Sequence, residues 1–459
     1  MNRFKKVYCR IYQTVFKLAL PFLPYRQPEV LQSLSEIPAL FEKRNIHAVM
    51  LVTDHDIRNL GLTKGLEEAL QQHNITCCVY DETVPNPTID NVEAARNLYL
   101  AQGAEAIIAF GGGSSMDCAK AAGARIVKPG QSVGQMKGLL HVHKRLPLLV
   151  AVPTTAGTGS ETTLAAVITD SQTHHKYPIN DFSLIPHVAV LDYTVTLGLP
   201  KQITATTGMD ALTHAVEAYI GRSTTKQTRQ MAERATVLIH DNLLRAYQNG
   251  ADAEARQNML YAAYCAGVAF TKSYVGYVHA VAHSLGGQYR IPHGLANAVI
   301  LPYFLKAYGT ACHRPLARLA RLTHLAAEQD TEAAAAGKFI AWIEQMNEAM
   351  GIPKTIDGIK PEDIPTMARY ADQEGNPLYP VPKLMDRQEL AQMYERIRTR
   401  GGTGIMEIRG IVELQRRYFG SGVTMDLQGR LDALDRLHET ILKYEDEIHE
   451  ALHLDLGKS

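Results

Sequence analysis

Two histidine-containing motifs in the second half of the sequence have the residue types and spacing of a divalent-metal site. Asp210 and His214 stand four residues apart in GMDALTHAVEAY, and His279 and His283 repeat that interval in VHAVAHSLGGQY. Residues four apart on a helix project from the same face, one turn apart. A single pair at this spacing is weak evidence, because exposed helical histidines that bind no metal are common. Two pairs flanked by apolar helix indicate metal binding.

A turn after the second motif supplies one more donor. We expect Gly286 and Gly287 to break the helix, and a turn at Pro292 to bring His293 back beside His279. One carboxylate and three imidazoles suit Fe²⁺ or Zn²⁺, and an open coordination position would make the site catalytic. The candidate ligands are Asp210, His214, His279 and His293.

A glycine-rich segment in the first half of the chain indicates a phosphate site. GGGSSMDCAK, residues 111–120, follows an apolar run and opens a helix-like stretch. Its glycines would let the backbone approach a pyrophosphate, and the N-terminus of a helix favours an anion. A purely structural strand-to-helix turn has the same composition, and Asp117 could simply cap that helix. The polar loop PTTAGTGSE, residues 153–161, offers further hydroxyls and amides for a phosphate or a nicotinamide carboxamide.

Asp54 ends an early apolar strand, HAVMLVTD. A carboxylate at such a strand end can accept hydrogen bonds from both ribose hydroxyls of an adenosine, and it repels a 2′-phosphate. NAD is therefore favoured over NADP. An ordinary helix N-cap is the alternative role for Asp54.

The elements that must position these residues fall into two regions. Residues 29–199 alternate short apolar strands with helices, which predicts a mostly parallel α/β domain that carries the candidate nucleotide-binding loops. Residues 200–398 are rich in Ala, Leu, Glu and Arg with helical periodicity, which predicts an all-helical, metal-binding domain. We therefore expect the active site in the cleft between the two domains.

An amphipathic helix is predicted in residues 1–28. Apolar side chains recur at helical spacing across residues 3–22, and no acidic residue precedes Glu29. A basic amphipathic helix can make weak contact with a membrane surface; a helix packed on the first domain, or a frayed leader, is the alternative. The apolar stripe comprises Phe4, Tyr8, Ile11, Val15, Leu18 and Phe22, and the opposite face carries Lys6, Arg10, Gln13 and Lys17.

The composition excludes several classes of protein. The 459 residues include 47 Lys and Arg against 47 Asp and Glu, so the net charge gives no reason to expect a nucleic-acid partner. Six scattered cysteines fit neither a disulfide framework nor a CxxC metal site, which favours a cytoplasmic protein. No uninterrupted apolar run reaches membrane-spanning length.

Taken together, residues from about 30 to 398 resemble the iron-containing (group III) alcohol dehydrogenase family. The resemblance rests on VPNPT at 84–88, the two loops and two metal motifs quoted above, and HAVAHSLGGQYRIPHGLANA at 279–298. It implies a Rossmann-like N-terminal domain, an all-helical C-terminal domain of the dehydroquinate synthase-like architecture, and a homodimer. The sequence departs from many relatives at Tyr193, where they have proline.

The resemblance also implies roles for particular residues. It implies that the four candidate ligands hold Fe²⁺, or Zn²⁺ in its place. The residues implied to line the dinucleotide site are Asp54, Asn86, Gly112, Gly113, Ser114, Asp117, Thr154, Thr155, Thr158, Thr163 and Lys176.

The predicted reaction is reversible hydride transfer between a small alcohol and NAD. The charge of a metal ion would lower the pKa of the alcohol and polarise an aldehyde carbonyl. His283, one turn beyond His279, would either relay the proton to solvent or orient a ligand. An alternative is a metal- and NAD-dependent lyase or cyclase of the dehydroquinate synthase type, which needs several cations for a sugar phosphate, whereas only Arg290 adjoins the histidine cluster. A catalytically idle assembly protein is the third hypothesis.

The C-terminal segment, residues 405–459, is predicted to be a helical appendage. Residues 417–459 resemble the first helices of the aldehyde dehydrogenase family, without the regions that carry that family's catalytic cysteine and nucleotide site. We therefore expect a truncated fusion or a broken reading frame, without aldehyde-oxidising activity; an ordinary C-terminal helix is the alternative. The apolar stripe of this segment comprises Leu427, Leu431, Leu434, Leu437, Ile441, Tyr444, Ile448 and Leu452.

Overall fold

The computed structural model describes residues 1, 3–171, 176–399, 416, 427–443 and 445. The chain divides into two compact units, Met1–Thr399 and Arg400–Ser459. In the first unit an α/β region is followed by a helical region, which is the order that the sequence predicts.

A parallel sheet of six strands forms the centre of the α/β region. The strands of this unit are β1 (Glu29–Leu31), β2 (Ala48–Val52), β3 (Thr76–Tyr80), β4 (Ala106–Gly111), β5 (Gly138–Leu139), β6 (Leu148–Pro153), β7 (Ala165–Thr169), β8 (Lys176–Asn180) and β9 (Val188–Val190). The six-stranded sheet has the order β1-β9-β6-β4-β2-β3 with parallel pairings throughout. A second sheet has the order β5-β8-β7.

Helices cover the sheet and build the region after it. They are α1 (Arg3–Ala19), α2 (Ile37–Lys43), α3 (His55–Asn59), α4 (Lys64–Gln72), α5 (Ile89–Ala101), α6 (Gly113–Val127), α7 (Lys201–Ile220), α8 (Lys226–Gln248), α9 (Ala253–Ser273), α10 (Tyr277–Tyr289), α11 (His293–Tyr308), α12 (Thr310–Leu322), α13 (Glu332–Ala349), α14 (Ile364–Gly375) and α15 (Arg387–Ile397). A short 3-10 turn, Leu20–Phe22, extends α1.

The central strands are apolar along their whole length because helices cover both faces of the sheet. In β4, Ile107 and Ala109 belong to the core formed with α5 and α6. Ile108 and Phe110 of the same strand belong to the opposite core, formed with α2 and α4. Both faces of this strand are therefore buried.

The helical region is built around α7. Helices α8, α9 and α11 all pack against it, and nearly all of its residues from Thr204 to Ile220 are buried. A polar side chain on such a helix is enclosed whichever way it points. The two ligand candidates on α7 are therefore withdrawn from solvent.

One expectation about the second metal motif was wrong. We expected Gly286 and Gly287 to break the helix, but α10 continues through both and ends before Arg290, whose φ of 55° is left-handed. A glycine in a helix costs only about 1 kcal/mol relative to alanine. The burial of neighbours such as Leu285 outweighs that cost, so the turn that leads to His293 comes later than expected.

The N-terminal helix packs on the helical region, and the alternative of packing on the first domain was wrong. Gln13 of α1 donates hydrogen bonds to the carbonyl oxygens of Pro377 and Tyr379, at 3.2 and 2.8 Å. The ring of Phe16 meets that of Tyr274 edge to face, with centroids 5.1 Å apart.

In the second unit the structure describes one helix, α16 (Leu427–Lys443). Leu431, Leu434, Leu437 and Ile441 of the predicted stripe are exposed there. Tyr444, Ile448, Leu452 and most of the segment that resembles an aldehyde dehydrogenase lie outside the described residues, so that resemblance stays a prediction. Within the described residues, no helix combines the length and apolar character needed to cross a membrane.

Candidate metal centre and dinucleotide site

Three helices bring the four predicted ligands together. Asp210 and His214 lie one turn apart on α7, His279 lies on α10, and His293 is the first residue of α11. One potential ligand atom from each lies within 4.8 Å of those from the other three. Asp210, His214 and His279 are buried and His293 is partly buried. The four side chains thus form one cluster enclosed by the helical region.

A glycine permits the close approach of two of these helices. A Cβ atom on Gly294 would lie 2.5 Å from the carbonyl oxygen of Thr206, one turn before Asp210. Real Cβ contacts are essentially never that short, so a larger residue would push α11 away from α7. With glycine, His293 Nε2 lies 3.6 Å from Asp210 Oδ1.

Burial keeps the imidazoles of the cluster neutral. It lowers the pKa of His279 well below the usual value, that of His293 to about 4, and that of His214 in the same direction. A neutral imidazole offers a free lone pair, which is the form that binds metals. His214 Nδ1 is buried and has no hydrogen-bond partner among the described residues.

The side-chain amide of Asn297, one turn after His293, points into the cluster. Its Nδ2 lies 2.6 Å from Asp210 Oδ1, 3.0 Å from His293 Nε2 and 3.2 Å from His279 Nε2. An amide nitrogen carries two hydrogens and can donate to only two of these three acceptors at once. Three acceptors are thus directed at one point with too few protons to satisfy them.

Glu217 orients His279 from the side away from the cluster. Its carboxylate accepts hydrogen bonds from His279 Nδ1 at 2.6 Å and from the backbone N–H groups of Gly276 and Val278, both at 2.9 Å. Donation by Nδ1 leaves the Nε2 lone pair directed toward Asp210, as is typical of metal-binding histidines backed by a carboxylate. Burial raises the pKa of Glu217 to about 7.

This arrangement fits a divalent metal ion. It combines one carboxylate, three neutral imidazoles, an outer carboxylate that fixes a tautomer, and convergent acceptors that lack protons. Nitrogen and oxygen donors in this ratio suit Fe²⁺ or Zn²⁺. The cluster is better suited to a cation than to any neutral partner.

His283 lies beside the cluster and belongs to a second hydrogen-bonded group. Its Nδ1 is 2.7 Å from Glu374 Oε1, which also accepts from the hydroxyl of Tyr379 at 2.6 Å. The His283 ring stacks on that of His293, with centroids 5.2 Å apart. Partial burial disfavours the charged ring, but the Glu374 carboxylate outweighs it and raises the pKa of His283 above its usual value. The side chain is 46% exposed, so it links the cluster to solvent.

The predicted dinucleotide residues follow the carboxyl ends of neighbouring strands. Strand β2 leads to Asp54, β4 leads to Gly112 and Gly113, and β6 leads to Thr154. Carboxyl ends of adjacent parallel strands meet at one edge of a sheet, where open α/β sheets bind nucleotides. Gly112 is the N-cap residue of α6 and has no side-chain cap.

Asp54 is an N-cap, as its alternative role required. One carboxylate oxygen accepts from the backbone N–H of Ile57 at 2.9 Å, and the other accepts from the hydroxyl of Ser115 at 3.2 Å. The carboxylate therefore connects the start of α3 to the glycine-rich helix α6. It lies just after the carboxyl end of β2, at the edge of the sheet where an adenosine ribose is expected.

Asn86 and Lys176 form a small polar group with the start of α6. The backbone N–H of Asn86 lies 3.3 Å from Ser114 Oγ, and Lys176 Nζ donates to Asn86 Oδ1 at 2.6 Å. Asn86 has a φ of 58°, a conformation that asparagine tolerates better than most residues. The structure thus brings these three predicted residues together.

Lys120 was not among the residues predicted from the sequence. It lies on α6 and its ammonium binds the polar loop and the residues that follow it. Its buried ammonium donates to Ser160 Oγ at 3.0 Å, to Thr163 Oγ1 at 2.8 Å, and to the carbonyl oxygens of Thr163 and Ala165 at 3.1 and 2.9 Å. A buried ammonium needs several acceptors to offset its lost hydration. Burial nevertheless lowers the pKa of Lys120 to about 8.

Asp117 does not cap α6, because the N-cap position belongs to Gly112. Instead its carboxylate accepts from the backbone N–H of Val167 in β7 at 3.1 Å and from the hydroxyl of Ser160 at 3.3 Å. Burial raises the pKa of Asp117. The capping alternative was therefore wrong, and Asp117 holds the polar loop and β7 against α6.

The polar loop joins the two regions of the first unit. A Cβ on Gly157 would lie 2.6 Å from Thr207 Cβ in α7, and one on Gly159 would lie 2.7 Å from the Cα of Gly267 in α9. On the other side, Thr155 and Thr158 adjoin the glycines that begin α6. The loop therefore contacts both the phosphate-type turn and the helix that carries Asp210.

Family comparison agrees with this geometry over both regions. Residues 30–193 match the model for iron-containing alcohol dehydrogenase, and residues 204–398 match the model for the C-terminal part of the Fe-containing alcohol dehydrogenase family. Alcohol dehydrogenase 4 of Saccharomyces cerevisiae (strain ATCC 204508 / S288c) is 36% identical over 342 residues, which span 74% of this chain and 88% of that protein. The chain belongs to the iron-containing alcohol dehydrogenase family.

Other members are similar in sequence and in structure. The 1,3-propanediol dehydrogenase of Klebsiella pneumoniae is 37% identical over 349 residues, which span 75% of this chain and 90% of that protein. A solved 1,3-propanediol oxidoreductase matches with a TM-score of 0.78 at 35% identity, covering 81% of this chain and 99% of that one. The alcohol dehydrogenase of Oenococcus oeni matches with a TM-score of 0.77 at 35% identity, covering 81% and 100%.

Membership decides between the hypotheses drawn from the sequence. The protein is an oxidoreductase of the alcohol dehydrogenase type, and the lyase and idle-assembly alternatives are disfavoured. The predicted fold, a Rossmann-like α/β region followed by a helical region, is confirmed by the same structures. The family models match neither residues 1–29 nor residues 399–459.

Proposed function

We propose that this protein interconverts a small, uncharged primary alcohol and its aldehyde with NAD as the hydride acceptor. The observation that carries the proposal is the convergence of Asp210, His214, His279 and His293 within 4.8 Å, next to a loop that also contacts the glycine-rich turn. We assign the dinucleotide to residues 29–199 and the metal to residues 200–398.

Two relatives support NAD as the cofactor. The NAD-dependent methanol dehydrogenase of Bacillus methanolicus is 34% identical over 344 residues. A sulfoacetaldehyde reductase from Bifidobacterium kashiwanohense, solved in complex with NAD⁺, matches with a TM-score of 0.72 at 28% identity. The Asp54 carboxylate at the end of β2 favours NAD over NADP, because it would repel a 2′-phosphate.

The proposed division of roles follows from the contacts. The four ligands would hold Fe²⁺, or Zn²⁺ in its place, and a bound ion would supply positive charge that favours loss of the alcohol proton. Glu217 fixes the His279 tautomer. His283, held by Glu374 and partly exposed, would pass a proton between the site and water. The residues Asn86, Gly112, Gly113, Ser114, Asp117, Thr154, Thr155, Thr158, Thr163 and Lys176 would bind or support the dinucleotide.

Metal content and turnover measured together test the proposal. Protein loaded with Fe²⁺ or Zn²⁺ should reduce NAD in the presence of ethanol, butanol or 1,2-propanediol. Asp210→Asn and His279→Ala should lose metal and turnover together, while His73→Ala, which changes an exposed histidine, should lose neither. Full activity of the two ligand variants at unchanged metal content would refute the assignment. Absence of net NADH formation with every alcohol would favour the lyase.

His283 can be tested separately. We expect His283→Ala to retain the metal and lose turnover, because the ring belongs to the Glu374 group and is not one of the four ligands. Restoration of turnover by added imidazole would support a proton relay. Loss of metal from this variant would instead make His283 a support for the ligands.

We further propose a cytoplasmic homodimer. The six cysteines are all free, which is the usual state in a reducing compartment. Sedimentation of the purified protein, together with fractionation of the source cells, tests both statements. A monomer at working concentration, or protein secreted from the cells, would contradict them.

A further inference from the structure

Helix α1 docks through the face opposite its apolar stripe, where Cys9 and Gln13 are buried. The guanidinium of Arg10 donates to the carbonyl oxygens of Val381 and Pro382 at 2.8 and 3.0 Å, next to the two bonds from Gln13 described above. Lys5 pairs with Asp372 at 2.9 Å. These contacts fix the rotation of the helix about its own axis.

The docking turns the apolar stripe of α1 outward. Phe4 is 89% exposed, Leu18 69%, Val15 61%, Ile11 59% and Phe22 88%. An amphipathic helix on a folded core normally buries this face and exposes the polar one. An outward apolar face of this size marks an interaction surface.

The charges around the stripe indicate what could cover it. Arg3, Lys6 and Lys17 are exposed on the helix, and no acidic residue occurs before Glu29. Of the acidic side chains of the body that contact this segment, Asp372 pairs with Lys5 and Asp386 pairs with the Met1 amino group. The surface therefore combines apolar side chains with basic ones that lack acidic neighbours on the helix.

We propose that residues 3–22 lie flat on an anionic lipid surface, with Phe4, Ile11, Val15, Leu18 and Phe22 among the acyl chains and the basic residues at the headgroups. A helix of this composition binds in the plane of the interface and does not cross it. The exposed basic residues Arg3, Lys6 and Lys17 favour an anionic surface as the occupant; a second copy of the chain is the outcome that the experiment below would reveal instead. The site lies outside the residues matched by the family models and does not depend on the proposed reaction.

Vesicle flotation of the full-length protein tests the proposal. Wild type should float with vesicles of phosphatidylglycerol mixed with phosphatidylcholine, and much less with pure phosphatidylcholine. The combined change Lys6→Gln with Lys17→Gln should weaken binding about 25-fold, since each basic residue near an anionic surface contributes about a fivefold factor. Ile11→Glu with Leu18→Glu should abolish binding.

The matched control is Leu60→Glu with Leu100→Glu, which places the same two charges on exposed leucines, 71% and 52% accessible, far along the chain from α1. It should float like wild type, and all variants should keep the wild-type thermal midpoint. Failure of wild type to float, or equal flotation of the Ile11→Glu, Leu18→Glu variant, would overturn the proposal. A change in oligomeric state in that variant, without vesicle binding by wild type, would assign the surface to a second copy.

Discussion

Side chains that touch the ligands decide how those ligands point. Glu217 sets the tautomer of His279, and Asn297 gathers three of the four ligand atoms. Lys120 has a comparable positioning role in the α/β region, because its ammonium donates hydrogen bonds to Ser160 and Thr163 at the polar loop. Substitution of such residues should change affinity and stability without removing any ligand.

Glu217→Gln should lower metal affinity about ten- to a hundredfold, the usual effect of losing an outer carboxylate. Glutamine supplies one acceptor oxygen and an NH₂ group where three donors now converge. Competition with a chelator measures the affinity, and turnover at saturating metal should recover in part. Glu254→Gln, an exposed carboxylate paired with Arg245, is the control. Equal affinity of the two variants would contradict the role given to Glu217.

Glu161 should make stability fall as pH rises. Burial raises its pKa from 4.5 to about 7, so the folded state binds this proton more tightly than the unfolded state does. The contribution is complete below pH 4.5 and is lost as the pH passes about 7, which amounts to roughly 3 kcal/mol. Glu161→Gln removes it, so the difference in unfolding free energy between wild type and variant should change by that amount across the window.

Urea denaturation at several pH values measures this difference. Glu68→Gln, on the exposed surface of α4, should follow wild type throughout. Parallel curves for wild type and Glu161→Gln would show that the carboxyl group ionises in the folded state as it does in water.

The strands and helices that could be recognised from the sequence are those whose residues are buried in a regular pattern. The apolar runs that form β2, β4, β6 and β9 read as strands because both of their faces are covered, and the Ala-rich helices after residue 200 show helical periodicity. The second sheet, β5-β8-β7, was missed, because β5 has only two residues and β8 alternates buried with exposed positions around Pro178. The helix break predicted at Gly286 does not occur, because burial of neighbouring side chains outweighs the low helix propensity of glycine.

The site was predictable where a local sequence pattern revealed it: spacing along a helix, a turn, or a loop at the end of a strand. Asp210 and His214 were found by their interval of four residues, and the same interval separates His293 from Asn297, which was not used. Glu217 also lies on α7, seven residues after Asp210. Lys120 gives no such signal, because its partners lie about forty residues away along the chain and meet it only through the fold.

The contact between α7 and α11 leads to an opposed pair of alanine substitutions. Gly294→Ala should weaken metal binding and destabilise the protein, because its Cβ would lie 2.5 Å from Thr206 O. Gly287→Ala has nothing within 4 Å of its Cβ and should stabilise α10 by about 0.5–1 kcal/mol. Thermal midpoints with and without metal measure both. Equal effects of the two changes would show that helix spacing does not control the cluster.

At the scale of the whole molecule, the metal cluster joins helices from separate parts of the chain. Helices α7, α10 and α11 each contribute at least one ligand, so a bound ion would hold the three together. The polar loop links this cluster to the sheet through Gly157 and Gly159. Binding at the metal cluster should therefore be measurable as stability of the first unit.

Removal of metal with a chelator should lower the thermal midpoint, and Fe²⁺ or Zn²⁺ should restore it. An ion at a hundred times its dissociation constant adds about 2.7 kcal/mol to the free energy of unfolding, provided that the unfolded chain does not bind it. Asp210→Asn should abolish the response to added metal. A response that survives in this variant would locate the stabilising ion elsewhere.

The fastening of the polar loop by Lys120 has a thermodynamic consequence for ligand capture. Because the Lys120 ammonium already immobilises the loop in the folded protein, the loop loses little further conformational entropy when a dinucleotide binds. Substitution of the loop hydroxyls should then change the binding enthalpy more than the binding entropy. Calorimetry on Lys120→Met would record the released freedom as a less favourable binding entropy.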